Sequence, residues 1–165
     1  MTPHIDRPQG IDNSRLFAVA CIRYFLNVCQ RKMALFGGDL ELAVIAEAVG
    51  LVGIDALLRD PAFKDQFRSL STLVGAERQI GIKGLGVAEA TGLPRETVRR
   101  KLKRLVELGI IDRREDGNYI LRPGALQGPI YGGLLAELDI ETQRFFNECL
   151  DEGIYEVTAP ADPRP

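Results

Sequence analysis

"GVAEATGLPRETVRRKLKRLVELGII", residues 86–111, carries six basic side chains between Arg95 and Arg104, with one acid, Glu96, among them. That span is about three turns of helix. Val98, Leu102, Leu105 and Val106 stand at i, i+4, i+7 and i+8, the spacing of one buried stripe. At about 100° per residue, Glu96, Arg99, Arg100 and Lys103 fall on the side away from Leu102. Arg95 lies at the exposed amino-terminal end. The charges therefore cover one face and one end rather than the whole circumference. Ahead of this helix, "GVAEAT" predicts a shorter one, with Gly92 in the tight turn between them. Pro94 suits the first turn of the second helix, and Glu96 suits its dipole.

Downstream, "GIIDRREDGNYILRPG" holds two short β-prone runs, "IIDRR" and "NYIL", around "EDGN". Asp116-Gly117 is a hairpin turn signal. Two helices joined by a glycine turn and followed by a two-stranded hairpin make a winged helix-turn-helix. In that unit the second helix, about residues 94–108, enters the major groove of DNA, and the hairpin, about 110–122, lies on the backbone or minor groove.

Here a resemblance can be named. "GLPRETVRRKLKRLVELGIIDRREDGNYIL" resembles the winged DNA-binding domains of bacterial transcription regulators. The run "RETVRR", followed by "LKRLVELGII", is similar to the catabolite activator protein family, in which an Arg-Glu-Thr-Val run opens the recognition helix. The resemblance implies that Arg95, Glu96 and Arg99 read bases and that Thr97 touches a phosphate. The chemistry agrees without the analogy: arginine pairs with guanine, and a glutamate accepts from a cytosine amino group. Arg100 and Lys103 are expected on phosphates. Arg113 and Arg114 flank the wing, where they either bind phosphates or pair with Glu115 and Asp116; phosphate contact is favoured. Pro94 stands where the family has a small hydroxyl residue, and Lys101 where it commonly has an apolar one. Upstream there is no β-rich cyclic-nucleotide domain, so the resemblance covers the reading head and not that switch.

Outside the reading head the chain is helical in pattern. "DNSRLFAVACIRYFLNVCQRKMALFGG" opens on the cap residues Asp12, Asn13 and Ser14 and stops at Gly37-Gly38. Its apolar residues fall nearly all round, which demands cover on more than one side. "DLELAVIAEAVGLVGIDALLRD" and "PAFKDQFRSLSTLV" give further helical segments. "QIGIKGLG" reads as a short strand or turn. "ALQGPIYGGLLAELDIETQRFFNECLDEG" gives a long helical stretch, broken at Gly128-Pro129 or Gly132-Gly133. The expected fold is mainly α: a winged helix-turn-helix with amino- and carboxy-terminal helical extensions and a small two-stranded β wing. Its expected layout is a loose tail over 1–11, a dimerising helical segment over 12–60, the winged domain over 61–123, a second dimerising segment over 124–152 and a tail over 153–165. The extensions resemble, in architecture only, those of MarR-type dimeric regulators.

Charge supports the same reading. Residues 1–82 are neutral in sum, residues 83–122 carry net +4 and residues 123–165 net −6, within a chain of net −2. A basic middle block points to a polyanion. Cys21, Cys29 and Cys149 lie singly among apolar neighbours, so they are read as packed core in a reducing compartment rather than as a disulfide frame. The amino terminus has no secretion-signal pattern, and no apolar run reaches the roughly 18 residues of a membrane span. A cytoplasmic location is expected. His4 is the single histidine and "GIKGLG" lacks the spacing of a phosphate-binding loop. No catalytic constellation, metal site or cofactor is therefore expected.

The sequence thus points to a sequence-specific DNA-binding transcriptional regulator of bacterial type, acting as a homodimer. Double-stranded DNA and a second copy of the chain are its expected partners. A small-molecule effector between the helical extensions and the winged unit is compatible with the layout, though no motif names its chemistry. The rival is a winged-helix module that binds proteins and not DNA. Such a module has no need for Arg95, Arg99, Arg100 and Lys103 together.

Overall fold

Asp39 begins the helix around which the reading head is built. In the computed structural model, which describes residues 3–158, its carboxylate accepts from the Leu42 amide at 3.2 Å and caps α2, Leu40–Asp55. This helix is apolar nearly all round. It packs on α4 (Gly84–Thr91), on α5 (Arg95–Glu107) and on β3 (Tyr119–Leu121). Ile45 and Val49 of α2 meet no solvent, and neither do Val87 of α4, Leu105 of α5 and Ile111 of β2 (Ile111–Arg113). Burying each such side chain contributes about 1.5–3 kcal/mol. The stripe read from the sequence is the inner face of α5, with Val98, Leu102 and Leu105 buried and Val106 half-buried.

The chain divides into two compact units: residues 32–134, and residues 1–31 together with 135–165. The first unit is the winged helix. α2, which precedes the expected start of the winged domain at residue 61, supplies the central helix of that unit. After a short 3-10 turn, Leu57–Arg59, α3 covers only Pro61–Gln66 and not the whole run to Val74. Beyond its cap, Phe67, Ser69 Oγ accepts from the Ser71 amide, so a local hydroxyl stands in for a helical partner there. β2 and β3 pair antiparallel with Ile111 opposite Leu121 and Arg113 opposite Tyr119. "QIGIKGLG" adds a third edge, since Ile82 and Tyr119 exchange both backbone hydrogen bonds, at 3.0 and 2.8 Å.

In the other unit, α1 (Ser14–Leu35) and α6 (Pro129–Asp151) lie side by side along residues 14–31 and 135–151. Ala20, Cys149 and Ile154 form the buried centre, flanked by Phe17, Phe145 and Tyr155. Burial pushes the Cys149 thiol up, with the Glu148 charge adding to it, as befits a packed cysteine. α6 begins at Pro129 and runs through Gly132-Gly133 unbroken. His4–Asp6 (β1) and Glu156–Thr158 (β4) pair antiparallel, although the sequence places both in loose tails. Each is three residues long with one central apolar residue, too short for periodicity to register. The rest of those tails, residues 1–2 and 159–165, lies outside the described residues. Among the described residues, no helix is long and apolar enough to cross a membrane.

A buried carboxylate joins α1 to α6. Glu141 is 3% exposed and accepts from Arg31 and Arg144 at 2.7 and 2.9 Å and from Asn27 at 3.1 Å. The hydrogen bonds from Arg31 and then Asn27 hold it below the usual glutamate range. A carboxylate depressed in the folded state adds stability above its unfolded pKa of about 4.3 and loses that contribution as pH falls through the folded value. Native protein should therefore lose stability more steeply than Glu141→Gln between about pH 5 and pH 3, in denaturant titrations run at each pH. Equal slopes would show that Glu141 is not ionised in the fold.

Candidate nucleic-acid interface

The turn between α4 and α5 fixes the direction of the basic helix. Gly92 has φ +71° and closes α4, with its amide on the Ala88 carbonyl at 2.9 Å. A side chain at that left-handed position would cost about 1–2 kcal/mol. Thr91 Oγ1 donates to the Val87 carbonyl at 2.8 Å and so tightens the last turn. Pro94 sits at the cap position, one residue before the first turn assigned to it, and its carbonyl receives the Val98 amide. α5 then presents Arg95, Glu96, Arg99, Arg100 and Lys103 to solvent, while Thr97 is half-buried.

Lys101 points the other way. Its side chain is 14% exposed, and its ammonium meets Asp39 and Glu41 at the start of α2, the latter at 3.3 Å. Burial works against ionisation of Asp39, yet the Lys101 hydrogen bond and the Leu42 amide together keep its carboxyl below the usual range. The lysine at a position expected to be apolar thus ties the recognition helix to the central helix by charge.

On the outer side, Glu96 chelates Arg99 through two hydrogen bonds, at 2.9 and 2.6 Å. The Arg99 hydrogen bond lowers the Glu96 pKa, and Glu96 raises that of Arg99, so both stay charged. The pair is exposed and adds little to stability. Its effect is to hold a guanidinium and a carboxylate side by side at the amino-terminal half of α5. Arg95, Arg100 and Lys103 make no ion pair among the described residues.

Between α5 and the wing lies an open cleft of about 400 Å³ whose wall includes Lys83, Arg95, Arg99, Arg113 and Tyr119. Four cations thus converge from three elements. The Arg113 guanidinium stands 5.9 Å from the centre of the Tyr119 ring. Lys83 is the member that sequence reasoning missed. It lies in "GIKGLG", read only as a turn, and the Ile82–Tyr119 pairing is what brings it beside the wing. The available signal was a cation directly ahead of a helix.

At the wing tip, Arg114 is half-buried. Its Nη2 donates to the carbonyls of Ala76 and Gln79, the latter at 3.0 Å, so it braces the wing against the chain before α4. Gly117 has φ +80°, and the Arg114 amide meets the Asn118 carbonyl at 2.8 Å to close the loop. Asn118 bonds within the loop: its backbone and side-chain amides donate to Asp116 and hold that carboxyl below its usual range. Of the basic residues expected on DNA, Arg95, Arg99, Arg100, Lys103 and Arg113 are exposed, and Arg114 is half-buried with its Nη2 on two backbone carbonyls.

Residues 70–133 match the model of a family described as a Firmicute plasmid replication protein, RepL. That span takes in α4, α5 and both wing strands, and is less than half of the chain. The matching family is neither the catabolite activator family nor the MarR type. No curated protein and no solved structure matches the chain.

Proposed function

We propose that this chain is a sequence-specific duplex-DNA-binding protein of bacterial type that works in the cytoplasm as a homodimer. The observation that carries the reading is the convergence of Lys83, Arg95, Arg99 and Arg113 on one cleft beside the exposed face of α5. Arg95, Glu96 and Arg99 read base edges in the major groove. Thr97, Arg100, Lys103, Lys83 and Arg113 take backbone phosphates. Affinity then falls steeply with salt, because each neutralised phosphate releases counterions. The dimer rests on α1, where Leu16, Val19, Ile22, Phe25 and Leu26 are all between 44% and 63% exposed. A second copy covering that face sets two recognition helices about 34 Å apart on a palindrome.

Control of transcription is the role we assign first. The similarity to a plasmid replication family favours a second one, binding of a replication origin. Both begin with the same act of recognition, and the position of the bound site separates them. The test is selection of genomic and plasmid fragments by purified protein at near-physiological salt, beside an Arg95→Ala/Arg99→Ala variant. An enriched palindrome, lost in the variant, is expected. A site within a promoter supports the regulator, and one within a plasmid origin supports the replication role. Absence of retained DNA would sink both in favour of a protein-binding module.

Glu96 offers a separate check. Glu96→Gln removes the negative charge nearest the incoming phosphates, so binding to random duplex should strengthen by a few-fold. Discrimination at the base facing residue 96 should fall, by about 1–3 kcal/mol if the carboxylate accepts from a cytosine. Competition binding against single-base variants of the selected site measures both.

A further inference from the structure

Inside the winged unit, a cavity of about 290 Å³ lies between the end of α2, the loop after α3 and the base of the wing. Its wall is largely apolar, with Ile54, Leu58, Phe67, Val74, Leu121 and Leu126 around it. Three cations, Lys64, Arg68 and Arg122, share the lining. Arg68 is held by Asp65 and Arg122 by Asp112, whereas Lys64 has no ion pair among the described residues. Among the uncharged polar residues of the lining, which include Ser69, Thr72 and Gln127, Gln79 is buried, at 6% exposed. Its Nε2 donates to the Leu121 carbonyl at 2.9 Å, and its buried Oε1 accepts no hydrogen bond from any described residue. A concave apolar space with a few convergent polar groups is the usual character of a small-molecule site.

We propose that this cavity binds a small, mainly apolar organic anion and that its occupancy is felt by the wing. The hydrocarbon body fills the space between Phe67 and Leu121, and the anionic group meets Lys64. Gln79 supplies the link. Its side chain holds the end of β3 through Leu121, and its own carbonyl receives Arg114 from the wing loop. An occupant that shifts Gln79 therefore shifts the strand and the loop that flank the cationic cleft. This places an effector within the winged unit itself. The effect on DNA rests on the function proposed above; the binding site does not.

Anilinonaphthalene sulfonate is a fitting probe, since it combines an aromatic body and an anion. Its fluorescence would be titrated against the full chain, with circular dichroism to establish that each variant is folded. One saturable site per chain is expected. Val74→Trp, which fills the cavity, should weaken binding about tenfold or more, since overfilling leaves no room for the occupant. Lys64→Glu, an exposed change that leaves the fold intact, should weaken it about two- to fivefold, the range of a solvent-screened ion pair. Phe25→Ser on the open face of α1 should leave it unchanged. Binding that ignores both cavity variants, or that follows Phe25→Ser, overturns the site. Saturating probe should then change the affinity of the wild type for its selected duplex, and the change should shrink in Lys64→Glu at the same probe concentration. If the probe occupies the cavity and duplex affinity stays constant, the link to the wing is overturned. If the protein retains no DNA, the functional reading fails while fluorescence still decides the site.

Discussion

Replacing Arg95 and Arg99 together by alanine should lower affinity for the selected duplex by roughly 10² to 10⁴-fold, because each good bidentate arginine-to-base contact contributes about 1–3 kcal/mol. Both residues line the cleft beside the wing, and Glu96 also loses its Arg99 partner in the change. The fold should not suffer. The Arg99 and Glu96 side chains are 69% and 74% exposed, and the buried stripe of Val98, Leu102 and Leu105 is untouched. Melting temperature should therefore stay within a degree or two of the wild type, in keeping with the small worth of exposed ion pairs. Binding isotherms at several salt concentrations separate the two components of the loss. A fall confined to the selected duplex marks Arg95 and Arg99 as base readers. An equal fall on random duplex would mean that they act on phosphates alone, and an unchanged isotherm would remove α5 from the interface.

The reading head was legible because its signals are local. A strongly amphipathic helix declares its own buried face, and Asp116-Gly117 declares its own turn. The parts that were not legible depend on contacts between distant residues. α2 looks in sequence like one more apolar helix beside α1, and only its packing on α4, α5 and β3 assigns it to the winged unit. β1 and β4 meet across nearly the full length of the chain, with three residues each to mark the pairing. Among the site residues, Lys83 was missed because its neighbour in space is the wing. The bracing contact of Arg114 was not legible because its partners are the backbone carbonyls of Ala76 and Gln79, which have no sequence signature. Lys101 is the inverse case. Its charge looked like a departure from an apolar pattern, and Asp39 and Glu41, some sixty residues earlier, supply the compensation.

Ile22→Glu combined with Phe25→Glu should convert the protein to a monomer and weaken its hold on a palindromic duplex by at least about 10²-fold, the scale on which linking two binding events raises avidity. α1 is apolar nearly all round, and α6 covers one half of that circumference through Ala20, Tyr24 and Asn27. The other half carries Leu16, Val19, Ile22, Phe25 and Leu26, with Ile22 and Phe25 the most open at 60% and 63%. A contiguous apolar face of this kind is uncommon on a monomer and marks an interaction site. Two carboxylates per chain at its centre would have to be desolvated without partners on association, at a cost of several kcal/mol for each. In a solitary chain the same substitutions meet only water, so the monomer should fold as before, with unchanged helical dichroism. Sedimentation equilibrium distinguishes the cases. A wild-type dimer and a folded monomeric variant with reduced palindrome affinity support the proposed assembly. A wild-type monomer would give the face another occupant, and a variant that stays dimeric would move the two-fold contact off α1.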